Sequence, residues 1–242
     1  MKKIIIDNLK TLFYAFVIAI IIRIFLFQPF YIPSSSMEPN LMVGDRIFVS
    51  KYKYGYSRHS FPFSPTNLSS RFFETKPLRG EVIVFKTPAD NRTDYIKRLI
   101  GIPGDTIQFI DGILHLNNQQ IKRTQVNSNL EINCGFETPV VNFYKETLPN
   151  GRSYTAVYRK EGTMQNTNKF IVPENHYFFM GDNRDCSKDS RFLNSVGYVN
   201  FNNLVGKAEI IFFSNDKKKG NLLNFFKWNK SIRFERLLKK IK

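Results

Sequence analysis

The sequence predicts a mainly β fold: an antiparallel, β-rich domain anchored by one N-terminal transmembrane helix and carrying an inserted subdomain. Three observations carry this reading. The only long apolar run is N-terminal, the later apolar stretches are short and rich in β-branched or aromatic residues, and none of them keeps a 3.6-residue period. With 242 residues, the chain has room for one core of ordinary domain size beside a membrane segment and a tail.

Residues 1–10, with Lys2, Lys3 and Lys10, are assigned to the cytoplasm and residues 11–28 to the membrane helix. Leu12 to Ile22 is unbroken apolar, and after Arg23 the run resumes as Ile24 to Phe27. Helix over that run reaches roughly 24 Å against a ~30 Å hydrocarbon core, a difference that snorkelling by Lys10 and Arg23 makes up. A cleavable export signal is the rival, with Ser34 and Ser36 as its small residues. Arg23 and the bulky Phe25, Phe27, Phe30 and Tyr31 speak against it. The basic residues before the helix put everything from about Gln28 onward outside the cytoplasm.

Strands follow at Asp45 to Tyr52, Glu81 to Lys86, Tyr95 to Ile102, Thr106 to Ile110, Ile113 to Leu116, Tyr154 to Arg159, Tyr177 to Met180 and Lys207 to Phe213, bounded by Gly, Pro, Asp or Asn. Asp111-Gly112 is a two-residue hairpin signal. These strands define a core over 29–116 and 170–213. Residues 117–169, polar and Asn-rich, read as an inserted, partly irregular subdomain.

The net charge of +16 is uneven. The tail, 214–242, holds ten Lys or Arg against Asp216 and Glu235, so 10 − 2 = +8. Phe225, Phe226 and Trp228 lie among those charges, which suits an anionic phospholipid headgroup layer, although a solvated charge run has the same pattern. An extracytoplasmic position argues against a nucleic-acid partner. Cys134 and Cys186 are too few for a disulfide framework and neither has a partner at metal-ligand spacing, so one disulfide and two separate thiols both remain open. No metal and no cofactor are expected.

For chemistry, G-x-S-x-G, H-E-x-x-H and a Gly-rich phosphate loop are all absent from the sequence. Of His59, His115 and His176, only His176 in "PENHYFFMGDNRD" invites a role, and a strand-end structural histidine explains it better. What remains is serine chemistry without an obvious histidine. A serine becomes nucleophilic when a neighbour takes its proton, and a lysine does so only as the neutral amine. From a pKa of ~10.4 that requires a fall of roughly 2–3 units through burial. In "DYIKRLIGIPGD", Lys97 shares a strand face with Tyr95 and Leu99, so an apolar setting is allowed but not demanded. Arg98 cannot be the base, because guanidinium stays protonated.

Four stretches in order, "PFYIPSSSMEPNLMVGD", "RGEVIVFKTP", "DYIKRLIGIPGD" and "MGDNRDCSKDSR", placed behind an N-terminal anchor, resemble the bacterial type I signal peptidases, membrane-bound serine proteases with a Ser-Lys dyad. The resemblance covers roughly Arg23 to Pro103 and Pro173 to Phe213. It implies a nucleophile directly before Met, hence Ser36, an oxyanion hole from the Ser34 hydroxyl and the Ser36 N–H, and Lys97 as general base. It further implies that Ser187 orients the lysine and that Asp189 and Arg191 form a structural ion pair. Phe30, Ile32, Met37, Leu41, Tyr95 and Ile96 would line shallow pockets for small side chains, matching cleavage after Ala-x-Ala in exported preproteins, near the secretion translocon of the inner membrane. Ser35 stands where the family more often has Gly, and Cys186 where Asn is common. Two other readings keep some of these features: a membrane-anchored β-rich binding module, which has no need of Ser36 with Lys97, and a self-cleaving repressor protease, which would carry a helix-turn-helix segment in place of an anchor.

Overall fold

A computed structural model describes residues 2–61, 64, 70–128, 130–135, 137–160, 162, 165–216, 218–220 and 228–242. Helix α1 spans Lys2–Phe25. Its stretch Ile4–Phe25, 22 residues of mean hydropathy 2.0, projects from the packed body and touches it at Phe25, against Tyr56 and Phe61, and at 1.5 Å per residue it measures about 33 Å, enough to cross a bilayer. The helix stops short of the expected residue 28. Pro29 has no N–H to give and pushes Gln28 into extended backbone, so Phe27 and Gln28 open strand β1 (Phe27–Tyr31) instead.

The main sheet runs in the order β1, β2 (Asp45–Ser50), β14 (Leu204–Ser214), β3 (Val82–Lys86), β4 (Asp94–Gly101), β12 (His176–Met180) and β13 (Val199–Asn200). Each of these pairings is antiparallel. Pro29 is tolerated because β1 is an edge strand. Both faces of β3 are covered: Val82 and Val84 pack with Ile32, Met37, Leu41, Ile47 and Val49, while Ile83 and Phe85 pack with Leu99 and Phe179. A second sheet holds β5 (Thr106–Ile110), β6 (Ile113–Leu116), β7 (Gln119–Gln120) and β11 (Phe170–Ile171). The Asp111-Gly112 turn joins β5 to β6 with both residues at positive φ, 48° and 69°.

The segment 117–169 is more regular than its composition suggests. β8 (Lys122–Val126), β9 (Val141–Thr147) and β10 (Ser153–Arg159) form a three-stranded antiparallel sheet. Tyr154, Ala156 and Leu148 carry it onto the core formed by Phe109, Leu114 and Phe178. Glu146 disguises β9 in the sequence: a carboxylate reads as exposed, yet it is buried against Arg184 at 2.7 Å with the Tyr154 and Tyr158 hydroxyls donating to it.

The end of the chain is not a free tail over its last fifteen residues. Arg236 is buried and donates to both oxygens of Asp45, at 3.0 and 2.6 Å. Strand β15 (Lys239–Lys240) pairs with Ile210 and Ile211 of β14, and Arg98 Nη1 donates to the Lys242 carbonyl at 2.8 Å. Phe225 and Phe226 lie outside the described residues, while Phe234 and Leu238 are 60% and 71% exposed. The basic segment is thus pinned by Arg98 and by Arg236, the latter a residue that sequence reading takes for surface charge.

Asp45 keeps the Ser214 hydroxyl and the Met42 N–H when Arg236 is removed, but it is left as a buried carboxylate without its cation. Arg236→Ala should lower the unfolding free energy by about 3 kcal/mol, seen as a lower urea midpoint at unchanged slope. A loss under about 0.5 kcal/mol, the range of ordinary surface substitutions, would show that the terminal segment is not part of the fold.

Candidate active site

The three serines sit on a loop that leaves the edge strand β1 and returns into β2. Its two ends are fastened together: Ile32 N–H donates to the Asp45 carbonyl at 2.9 Å, and Gly44 N–H donates to the Ile32 carbonyl at 3.0 Å. Gly44 has φ +97°, and a side chain there would meet the Asn215 carbonyl oxygen at 1.9 Å. Met37 and Leu41 anchor the loop in the core, and the Glu38 N–H donates to the Ser35 carbonyl at 3.0 Å. Ser36 is thereby turned inward while Ser34 stays in solvent. The two hydroxyls are 3.3 Å apart.

Lys97 comes from β4, where it pairs with Ile83. Burial on this strand does not alternate beyond Ile96, because both faces are covered, which is why period-two reasoning left the lysine undecided. Only 4% of Lys97 is exposed. Its Nζ lies 2.6 Å from Ser36 Oγ, donates to its own neighbour's carbonyl, Ile96 O, at 3.0 Å, and stands 5.3 Å from the centre of the Tyr95 ring. Burial lowers the ammonium from 10.5 to about 8, against the pull of Asp189 and Asp182 and with help from Arg191.

A third segment closes the site. Gly181 is packed so closely that a side chain would meet Ser187 Oγ at 2.2 Å and the Ser36 carbonyl oxygen at 2.5 Å. Asp189 and Arg191 pair at 2.8 Å, and Asp189 accepts the Gly181 N–H at 2.9 Å. Burial pushes the Asp189 carboxyl up, but the Arg191 guanidinium and its other donors outweigh this and hold it below the usual range. Ser187 Oγ is buried, and among the described residues no hydrogen bond joins it to Lys97.

Six pocket residues were expected, and they divide. Ile32, Met37 and Leu41 are interior side chains of the core, whereas Phe30, Tyr95 and Ile96 remain partly exposed beside Lys97. The first three form a floor, because the serine loop needs them as its anchors. His176 is tied by Nδ1 to Glu174 O at 2.8 Å, and no hydrogen bond joins a histidine to Ser36 or Lys97 among the described residues.

The sequence reading missed the residues that hold the segments together. Arg98, set aside as a base, is buried and donates from Nε and Nη2 to both oxygens of Asp182 at 2.7 Å, and Asn40 on the serine loop donates to the same carboxylate at 2.8 Å. Asn183 N–H donates to the Ser36 carbonyl at 3.1 Å, and its side-chain amide to the Ser35 carbonyl at 3.1 Å. The available signal was position: Arg98 adjoins Lys97, and Asp182 and Asn183 lie in the "GDNRD" stretch.

Residues 5–213 match the family described as signal peptidase, peptidase S26. The chain belongs to this family. Signal peptidase I of Rickettsia typhi is 41% identical over 243 residues, covering 93% of this chain and 89% of that protein. Signal peptidase I of Rickettsia canadensis is 40% identical over 251 residues, covering 96% and 92%. A crystal structure of a signal peptidase I from Enterococcus faecalis is 26% identical with a TM-score of 0.32, covering 55% of this chain and 97% of that one. Family membership makes the chain a serine endopeptidase and sets aside the binding-module reading; with α1, it fits a membrane-anchored signal peptidase.

Gly181→Ala places a methyl group where Ser187 and the Ser36 carbonyl already stand. It should cut kcat/KM about 10²-fold through displacement of the loop, measured on a peptide substrate beside a thermal melt. Activity within threefold of the parent would mean that this close approach does not govern the site.

Proposed function

We propose that this chain removes signal peptides from exported preproteins by serine chemistry in which Ser36 is the nucleophile and Lys97 the general base. The observation supporting this is the 2.6 Å approach of Lys97 Nζ to Ser36 Oγ inside a pocket that lowers the lysine to about 8. With the amine neutral, the Ser36 hydroxyl donates to Nζ and its proton passes there as Oγ attacks the scissile carbonyl. The Ser36 N–H and the Ser34 hydroxyl face the oxyanion. Lys97 then protonates the leaving amine, and the acyl group on Ser36 is hydrolysed by a water whose proton Lys97 accepts.

Substrate approaches as an extended strand. From Asp94 to Lys97, β4 pairs among the described residues with β3 alone, since β12 joins only at Arg98 and beyond. An added strand would satisfy that open edge and lay small side chains over Phe30, Tyr95 and Ile96. The N-terminus is on the cytoplasmic side in this reading, from Lys2, Lys3 and Lys10. Phe234 and Leu238, exposed next to Lys239 and Lys240, then meet the anionic bilayer surface from outside.

Ser36→Ala and Lys97→Ala should each abolish cleavage of a preprotein with the fold intact, because the pair acts as one unit. Ser34→Ala should cost about 10²-fold in kcat as an oxyanion donor, and Ser35→Ala little; a dead Ser35→Ala variant beside an active Ser36→Ala would overturn the register.

Lys97 is inactive as ammonium, so kcat/KM should rise with pH through about 8 and level off above it. Lys97→Arg should be inactive at every pH. An acid limb near 6.5 that disappears in His176→Ala would return the role of base to histidine.

A further inference from the structure

Two consecutive residues of the 117–169 segment, Asn133 and Cys134, reach the loops of the site, and Ile132 before them anchors the stretch. Ile132 is buried with Phe143 and Val157, which fixes the stretch to β9 and β10. Asn133 N–H donates to Glu38 Oε2 at 3.0 Å, two residues after Ser36. Its carbonyl accepts from Asn183 Nδ2 at 3.1 Å, the same amide that donates to Ser35 O, on the residue whose N–H holds Ser36 O. Cys134 is bonded to Cys186, with Cα atoms 5.3 Å apart. Cys186 closes the turn Arg184–Cys186 and directly precedes Ser187.

We propose that the Cys134–Cys186 disulfide, with the Asn133 main chain it presents to Glu38 and Asn183, is a brace that positions Ser36 against Lys97, so that turnover depends on the disulfide. This rests on the Ser36 and Lys97 reading given above. The physical need is plain. Between β8 and β9 the chain has no regular strand at Asn133, whose main-chain bonds go to the two loops rather than to a sheet neighbour. The disulfide supplies the missing restraint by tying that stretch to the loop bearing Asp182, Asp189 and Arg191, the charged groups that act on Lys97. Releasing it would loosen the seat of Ser36 and admit water to the lysine. Glu38 and Asn183 are positioning residues here, touching neither the reacting atoms nor substrate.

The test uses the full chain in detergent micelles with a peptide carrying an Ala-x-Ala site, comparing the parent before and after a water-soluble phosphine with the Cys134→Ser/Cys186→Ser variant. The phosphine attacks one sulfur, and water then supplies the oxygen of the phosphine oxide and the protons of two thiols. Both treatments should lower kcat about tenfold or more with KM within about twofold, as displacement of a positioned group does. The acid limb of the profile should move upward by about half a unit as Lys97 becomes wetter. Glu38→Gln keeps an acceptor for Asn133 N–H and should retain most turnover, whereas Glu38→Ala should fall with the cysteine variant. An unchanged kcat and acid limb in the reduced, folded enzyme would overturn the brace, as would equal effects of Gln and Ala at position 38. Ser36→Ala, run alongside, separates the two ideas: turnover surviving there removes the dyad itself, while a dead Ser36→Ala beside an unaffected reduced enzyme removes only the brace.

Discussion

Everything at this site depends on keeping one lysine dry. An ammonium is stable in water and poor as a base; the same group shut away from water is held near neutrality at a pH where serine can use it. Lys97 is enclosed by β3 and β4 beneath it, the serine loop on one side and the Gly181 to Arg191 segment on the other. Asp182 and Asp189 lie close enough to favour the charged form, which would undo the effect. Each is occupied by its own arginine, Arg98 and Arg191. The ion pairs therefore protect the lowered lysine by keeping the carboxylates engaged elsewhere.

That arrangement explains the number of buried charges in so small a body. Arg98 with Asp182, Arg184 with Glu146, Arg191 with Asp189 and Arg236 with Asp45 are all interior. Such pairs contribute little net stability against apolar replacements of the same shape, yet a wrong pairing leaves a naked charge in the interior and is excluded. Each links segments distant in the chain or stiffens one of them. Arg98 and Asp182 join β4 to the closing segment, with Asn40 adding the serine loop. Arg236 and Asp45 bring the last residues onto the base of that same loop. The site is a meeting of loops, and the arginines fix how they meet.

The β class, the N-terminal apolar helix and the positions of most core strands along the chain were legible because their signals are local: β-branched residues, turn glycines and a long apolar run. The end of α1 was legible in hindsight from Pro29. Strands β8 and β9 were hidden by Lys122, Lys145 and Glu146, since a polar strand that buries a carboxylate breaks the pattern on which strand reading relies. The docked terminus was hidden for the same reason, Arg236 being indistinguishable by type from the lysines around it. Proximity of Ser36 to Lys97 spans 61 residues, and no property of either residue alone announces it; only the resemblance of whole motifs paired them. The bond expected between Ser187 and Lys97 shows the opposite limit, for a motif supplies a residue without fixing where its hydroxyl points.

The most direct measurement of the central claim is the titration of Lys97 itself, followed by NMR of lysine labelled at the ε-carbon in the full chain, with Lys97→Arg to assign the signal. Lys51, also lowered to about 8 by burial, persists in that variant and serves as the internal comparison. The account predicts that a signal absent from Lys97→Arg titrates near 8. A Lys97 that stays charged to pH 10 and titrates there like a lysine in water would contradict it.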